Sequence, residues 1–112
     1  MALERGKLTN VTQVAAGATV GILTVADSKK VYIRSIIAYS PTGSASTAHV
    51  YVVPNGGSFG DSNKIFNVEL SASETILLEP VYPIVLDTTG ESLRVGVAGS
   101  NTNFLITGDK EA

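Results

Sequence analysis

The stretch KVYIRSIIAYS, residues 30–40, is the longest run in the chain that reads as a β-strand, and it decides the fold class. Side chains of a strand alternate between two faces. This alternation predicts two apolar sets: Val31, Ile33 and Ile37 on one face, and Tyr32, Ile36 and Ala38 on the other. A strand that is apolar on both faces is typical of a central, covered position in a sheet. Arg34 falls on the second face, which indicates that the cover there is incomplete or is a subunit contact.

The same character continues outward in both directions from this run. Short alternating or apolar segments are separated by Gly, Pro, Ser, Asn and Asp, and no helical periodicity persists. The segments are KLTNVTQV, ATVGILTV, AHVYVV, KIFNVEL, ETILLEP, YPIVLD, SLRVGVAG and TNFLITG. We predict an all-β protein of eight or nine strands without helix, an antiparallel β-sandwich with a jelly roll as the favoured topology. Residues 1–112 are predicted to form one domain, with residues 1–10 as a flexible N-terminal arm and the final DKEA as a polar end.

Composition narrows the classes of function. The 112 residues are 44% hydrophobic and only 16% charged, with a net charge of −2 and no cysteine. Without a basic excess, the chain is not expected to bind nucleic acid. The adjacent Lys29 and Lys30 follow Asp27 and Ser28, as in a charged turn. No apolar run approaches the ~20 residues that span a bilayer, and no signal core follows the N-terminal charges, so we expect synthesis in a cytoplasm and no membrane contact.

A glycine-rich stretch, YVVPNGGSFGDSNKIFNVEL at residues 51–70, raises the question of a phosphate-binding loop. A phosphate loop needs Gly, four residues and Gly-Lys-Ser/Thr leading into a helix, whose N-terminus holds the anion. Here a predicted strand follows Lys64 instead. Gly56, Gly57 and Gly60 are therefore interpreted as turn residues that tolerate a positive φ, in a flexible connection between strands.

The remaining reactive side chains predict no catalytic, cofactor or metal site. His49 is the only histidine and is expected on a strand face, without the partners of a nucleophile triad or of zinc. Asp61-Ser62-Asn63 lacks the spaced acids of a calcium loop. Glu74 and Glu79, five residues apart on one predicted strand, point to opposite faces. The tyrosines leave a carbohydrate platform open as an alternative, although core or rim positions are the simpler interpretation: Tyr32, Tyr39, Tyr51 and Tyr82.

The order of segments over nearly the whole chain resembles that of small virion proteins of tailed bacteriophages. The similarity begins in LTNVTQVAAGATVGILTVADSKK as the first pair of strands and continues in KVYIRSIIAYSPTGSASTAHVYVVPNGG, two strands ending in a Pro/Gly turn. It extends through ETILLEPVYPIVLDTTGESLRVGVAGSNTNFLITGDKE. Within that last segment, the positions that carry the resemblance are Leu86, Gly90, Leu93, Val95, Ser100, Asn101 and Ile106 to Gly108.

This resemblance implies a jelly-roll-like virion structural protein without catalytic residues. The role expected first is a capsid decoration, or cement, protein that stabilises the shell where capsomers meet. Its partners would be the major capsid protein or other virion proteins, and its oligomer a homotrimer. The loops at residues 41–47 and 54–64 are expected to contact the partner, and the N-terminal arm to order on binding. A tail or neck component of a phage virion, or a carbohydrate-binding β-sandwich, remains the alternative.

Overall fold

The computed structural model describes residues 3–26 and 29–111, and these residues form ten strands. Among them there is no helix, and hence none that could cross a membrane. The strands are β1 Leu3–Lys7, β2 Thr12–Val14, β3 Thr19–Thr24, β4 Val31–Tyr39, β5 Ser46–Val53, β6 Lys64–Leu70, β7 Thr75–Leu78, β8 Ile84–Leu86, β9 Ser92–Ala98 and β10 Thr102–Glu111.

The strands form two antiparallel sheets whose order is that of a jelly roll. In the first sheet, β10 and β4 are central; β1 and β2 share one edge and β7 and β8 share the other. The second sheet has the order β3-β9-β5-β6. Because two edge positions are each divided between two short strands, ten strands occupy eight positions. When β1 with β2, and β7 with β8, are each counted as one position, the chain alternates between sheets except at the β5–β6 hairpin, which gives the double Greek key of a jelly roll. The all-β prediction is confirmed.

One hydrophobic core lies between the sheets. Leu93, Val95 and Val97, at every second position of the segment SLRVGVAG in β9, are all buried in this core. From the opposite sheet, Phe104 and Ile106 of β10 face them and are also fully buried. Branched and aromatic side chains at every second position suit strands of this kind, because each side chain packs across the sandwich and leaves its neighbour on the outer face.

A β-bulge in β4 changes which side chains of this strand face the core, so the alternation predicted for residues 30–40 is wrong beyond Arg34. Thr107 of β10 pairs with Ser35 and Gly108 pairs with Ile33, so Arg34 is an extra residue in β4. The bulge reverses the alternation beyond it. Consequently Ile36 and Ala38 join Val31 and Ile33 in the core, whereas Ile37 lies on the outer face with Tyr32.

Both ends of the described chain belong to the first sheet. Leu3–Lys7, within the segment predicted as an arm, is strand β1, which pairs with β10 and is exposed along its length. The polar end predicted from DKEA is wrong for Asp109 to Glu111, because β10 continues to Glu111 and Asp109 is buried. Met1, Ala2 and Ala112 lie outside the described residues, as do Asp27 and Ser28 of the predicted charged turn, while Lys29 and Lys30 are exposed.

Candidate functional site

The glycine-rich loop forms a hydrogen-bonded cover on the outer side of the second sheet. Asn63 ties it together: its Oδ1 accepts from the Gly60 amide at 2.9 Å, and its Nδ2 donates to the Ser58 carbonyl at 2.9 Å. The Phe59 ring lies 5.4 Å from the Tyr51 ring, centroid to centroid. Of the three glycines interpreted as turn residues, only Gly56 has a positive φ, +77°.

Lys64, the cation closest to this loop, is already engaged by protein groups. Its Nζ lies 5.8 Å from the centroid of the Tyr51 ring and 3.5 Å from Asp61 Oδ1. The loop leads into strand β6, not into a helix. Lys64 and Phe59 therefore pack on Tyr51, which is a structural role for this loop. The loop offers no helix N-terminus for a phosphate.

The other residues considered for chemistry do not converge. His49 lies on the outer face of β5 with Tyr51, their ring centroids 6.4 Å apart, and its Nδ1 is buried without a hydrogen-bond partner among the described residues. Glu74 precedes β7 and accepts from the Ser71 amide at 2.7 Å, whereas Glu79 follows β7. Within residues 3–26 and 29–111, no three His, Asp or Glu side chains are grouped so as to hold a metal ion.

The four tyrosines do not form one platform. Tyr51 is buried on the second sheet beneath Phe59. Tyr32 and Tyr39 lie on the outer face of the first sheet at opposite ends of β4, and Tyr82 lies in the connection between β7 and β8. A flat sugar-stacking surface built from all four is therefore absent from this fold.

An ion-pair network on the first sheet was not foreseen from the sequence. The Asp109 carboxylate accepts from Arg34 Nε at 2.6 Å and from Arg5 Nε at 3.0 Å, and so connects β10 to β4 and to β1. Its side chain is 1% exposed, although both arginines reach solvent. The hydrogen bonds from Arg34 and then Arg5 lower the pKa of Asp109, against the opposing effect of burial. One signal was present: a charged Arg34 within an apolar strand calls for a counter-charge.

The outer face of the first sheet carries an uncharged apolar patch. Leu105, Ile37 and Leu77 lie side by side across β10, β4 and β7. Val11 and Tyr39 adjoin them, and with Ile37 and Leu105 they line a shallow depression of about 180 Å³. We call Val11, Ile37, Tyr39, Leu77 and Leu105 the apolar patch. Leu77 is 51% and Val11 65% exposed, so a partner that covered the patch would remove apolar surface from water.

The loops predicted to contact a partner are separated by the length of a strand. The β4–β5 connection precedes β5 and the β5–β6 connection follows it, so they lie at opposite ends of the sandwich. Part of the predicted 41–47 loop belongs to β5, which begins at Ser46. The apolar patch, by contrast, is on one continuous sheet face. It is the best-formed candidate contact surface among the described residues.

No family model matches the chain, and no curated protein matches it. Among solved structures, chains of infectious bursal disease virus, Gt strain and Gx strain, are similar at 11% and 13% identity, each with a TM-score of 0.45. A chain of the infectious bursal disease virus VP2 subviral particle is similar at 13% identity with a TM-score of 0.47. These matches cover 97% of this chain but only 31–32% of the other chains. Likenesses this distant carry no argument about function.

Proposed function

We propose that the chain is a non-enzymatic virion structural protein, and that it acts as a capsid decoration protein which stabilises the shell at capsomer junctions. The observation that carries the proposal is the apolar patch, an exposed and uncharged area on the outer face of the first sheet. The sequence resemblance to small phage virion proteins supports the same role. The partner is the major capsid protein or another virion protein.

The patch gives the proposal a physical mechanism. Full burial of one aliphatic side chain is worth about 1.5–3 kcal/mol, and the patch side chains are only partly exposed, so each would contribute roughly 1 kcal/mol. Binding to a closed shell, but not to its separated subunits, stabilises the closed shell by mass action. A contact of several kcal/mol repeated over the many equivalent sites of a capsid strengthens the particle without any bond being made or broken.

The test is the stability of particles with and without the protein. We expect particles that lack it to assemble and then to lose their packaged genome under heat or osmotic stress that decorated particles withstand. Adding the purified protein back should restore resistance. If undecorated shells hold their genome equally well, the decoration role is wrong.

Copy number distinguishes this role from the second candidate, a tail or neck component of the same kind of virion. A decoration protein is present in hundreds of copies per particle, whereas a tail or neck component is present in a few or a few dozen. Quantitative gel or mass analysis of purified particles gives the number directly. A low count would retain the virion assignment and move the protein from the shell to the tail or neck.

A further inference from the structure

The two edges of the first sheet differ in charge and shape. Residues 65–93 contain no Lys or Arg and hold five of the chain's ten acidic residues: Glu69, Glu74, Glu79, Asp87 and Glu91. Three of these acids flank β7 and β8, which form one edge of the sheet: Glu74 and Glu79 stand directly before and after β7, and Asp87 directly after β8. At the opposite edge, Arg5 and Lys7 of β1 lie beside Arg34 of β4, three cations against the single carboxylate of Asp109.

The acidic edge carries an exposed apolar tip between its two strands. The connection between β7 and β8 contains Pro80-Val81-Tyr82-Pro83, which we call the β7–β8 tip. Val81 is 92% and Tyr82 83% exposed, the largest exposures of any large hydrophobic side chains in the described chain. Two prolines restrict the backbone on either side. A tyrosine held in this way loses little conformational freedom on binding, which favours an anchor at an interface.

The basic edge offers a receiving surface of complementary charge. Arg5, Gly6, Lys7 and Arg34 line a shallow depression of about 360 Å³, with Thr107 and Gly108 as its other walls. A tyrosine ring seated there would have arginine guanidinium groups beside it, an arrangement favoured by cation–π attraction. No ion pair engages Lys7 or Glu79 within the described residues.

From this complementarity we propose that copies of the chain associate head to tail. The β7–β8 tip of one copy docks against the Arg5–Lys7–Arg34 edge of the next, with Glu79 paired to Lys7 across the contact. An interface between two different surfaces is heterologous, and it closes into a ring when the rotation between copies permits. The association goes beyond the proposed function, because it is argued from the chain's own two edges and leaves the apolar patch free.

The test is the association of the full chain, four edge variants and one control variant, measured by sedimentation equilibrium over a range of concentrations. The wild type is expected to give a mass of at least twice the 11.6 kDa of one chain. Tyr82→Ala removes the anchor and should weaken association at least ~30-fold. Lys7→Glu and Glu79→Lys each place like charges opposite one another and should weaken it about tenfold, and the double variant should return to within about threefold of wild type.

Tyr39→Ala is the matched control, since Tyr39 is an exposed tyrosine of the apolar patch and not of either edge. It should leave association unchanged while weakening any binding to shells, so that failure of this inference and failure of the proposed function are distinguishable. Circular dichroism confirms that each variant is folded. A wild type that stays monomeric, a Tyr82→Ala variant that associates normally, or a double charge variant no better than the single ones would overturn the proposal.

Discussion

At Gly108, the absence of a side chain allows β10 and β4 to approach at the bulge. A Cβ at this position would collide with the Tyr32 carbonyl oxygen and crowd the Arg34 amide, both of which are backbone atoms that cannot rotate away. We therefore expect Gly108→Ala to lower the free energy of unfolding by about 3 kcal/mol or more. Gly21→Ala is the control, since Gly21 is also in a strand and a Cβ there meets nothing within 4 Å.

Denaturant titration measures both variants. A Gly108→Ala protein as stable as the Gly21→Ala control would mean that β10 and β4 do not approach each other closely at the bulge. The comparison separates close backbone approach from the general effect of adding a methyl group to a strand.

Asp109 makes the stability of the first sheet dependent on pH. Its pKa is lowered from the ordinary 3.8 by hydrogen bonds from Arg34 and Arg5. The unfolded chain therefore binds the proton first as the pH falls. The stabilisation from the network is present above about pH 4 and is lost as the pH falls through the lowered pKa.

Thermal unfolding of the wild type and of Asp109→Asn, near neutral pH and near pH 2, tests this dependence. We expect the variant to melt well below the wild type at neutral pH and the difference to shrink in acid. Asp61→Asn is the control, because Asp61 is fully exposed and has one long ion pair, at 3.5 Å to Lys64. A difference between wild type and Asp109→Asn that does not change with pH would contradict the assigned role of the carboxylate.

At the scale of the element, the bulge in β4 decides which isoleucine supports the core. Ile36 is fully buried, whereas Ile37 lies on the outer face between Leu105 and Leu77. We expect Ile36→Ala to cost about 2–5 kcal/mol of stability and Ile37→Ala about 1 kcal/mol or less. The neighbouring residues are chemically identical, so the pair is its own control. If Ile37→Ala lost more stability than Ile36→Ala, the bulge would be contradicted and the alternation predicted from the sequence would hold.

This strand also shows what sequence reasoning can reach. Alternation and turn residues predicted the strands and the sandwich, because the side-chain period of two follows from backbone geometry. The bulge was not predictable: both faces of β4 are apolar, so nothing in the pattern marks a change of phase at Arg34. Strand β1 was missed because LERGK is exposed on both faces and owes its pairing to β10, at the other end of the sequence.

The candidate surfaces depend even more on topology. Leu77 and Leu105 look like core residues in sequence, and only the sheet order places them side by side on an outer face. Asp109 looked like part of a polar end because its two arginines are 75 and 104 residues away in sequence. The sequence contains such residues but does not show which of them the fold brings together.

At the scale of the whole molecule, the described chain has one hydrophobic core between its sheets and two chemically different regions on the outer face of its first sheet. One part of that face is the apolar patch and another is the basic edge with its Asp109 network. A division of this kind suits a building block that contacts two neighbours at once. Under the two proposals above, one neighbour is a shell protein and the other is a second copy of the chain.

Leu77 is the residue through which the shell contact can be tested with least disturbance of the fold. It is 51% exposed, so Leu77→Asn should cost little stability while placing a polar amide within the buried contact. Ile65→Asn is the matched control, because Ile65 is 42% exposed on β6 of the second sheet. We expect Leu77→Asn to weaken shell binding about tenfold or more, and Ile65→Asn to leave it unchanged.

The most direct measurement is therefore the binding of purified protein to shells of the proposed virion prepared without it, with the bound copies counted at saturation. We predict saturation at hundreds of copies per shell, with Leu77→Asn weakened and Ile65→Asn not. Absence of binding, saturation at a few copies, or equal binding by Leu77→Asn would contradict the claim that the apolar patch of a decoration protein faces the capsid.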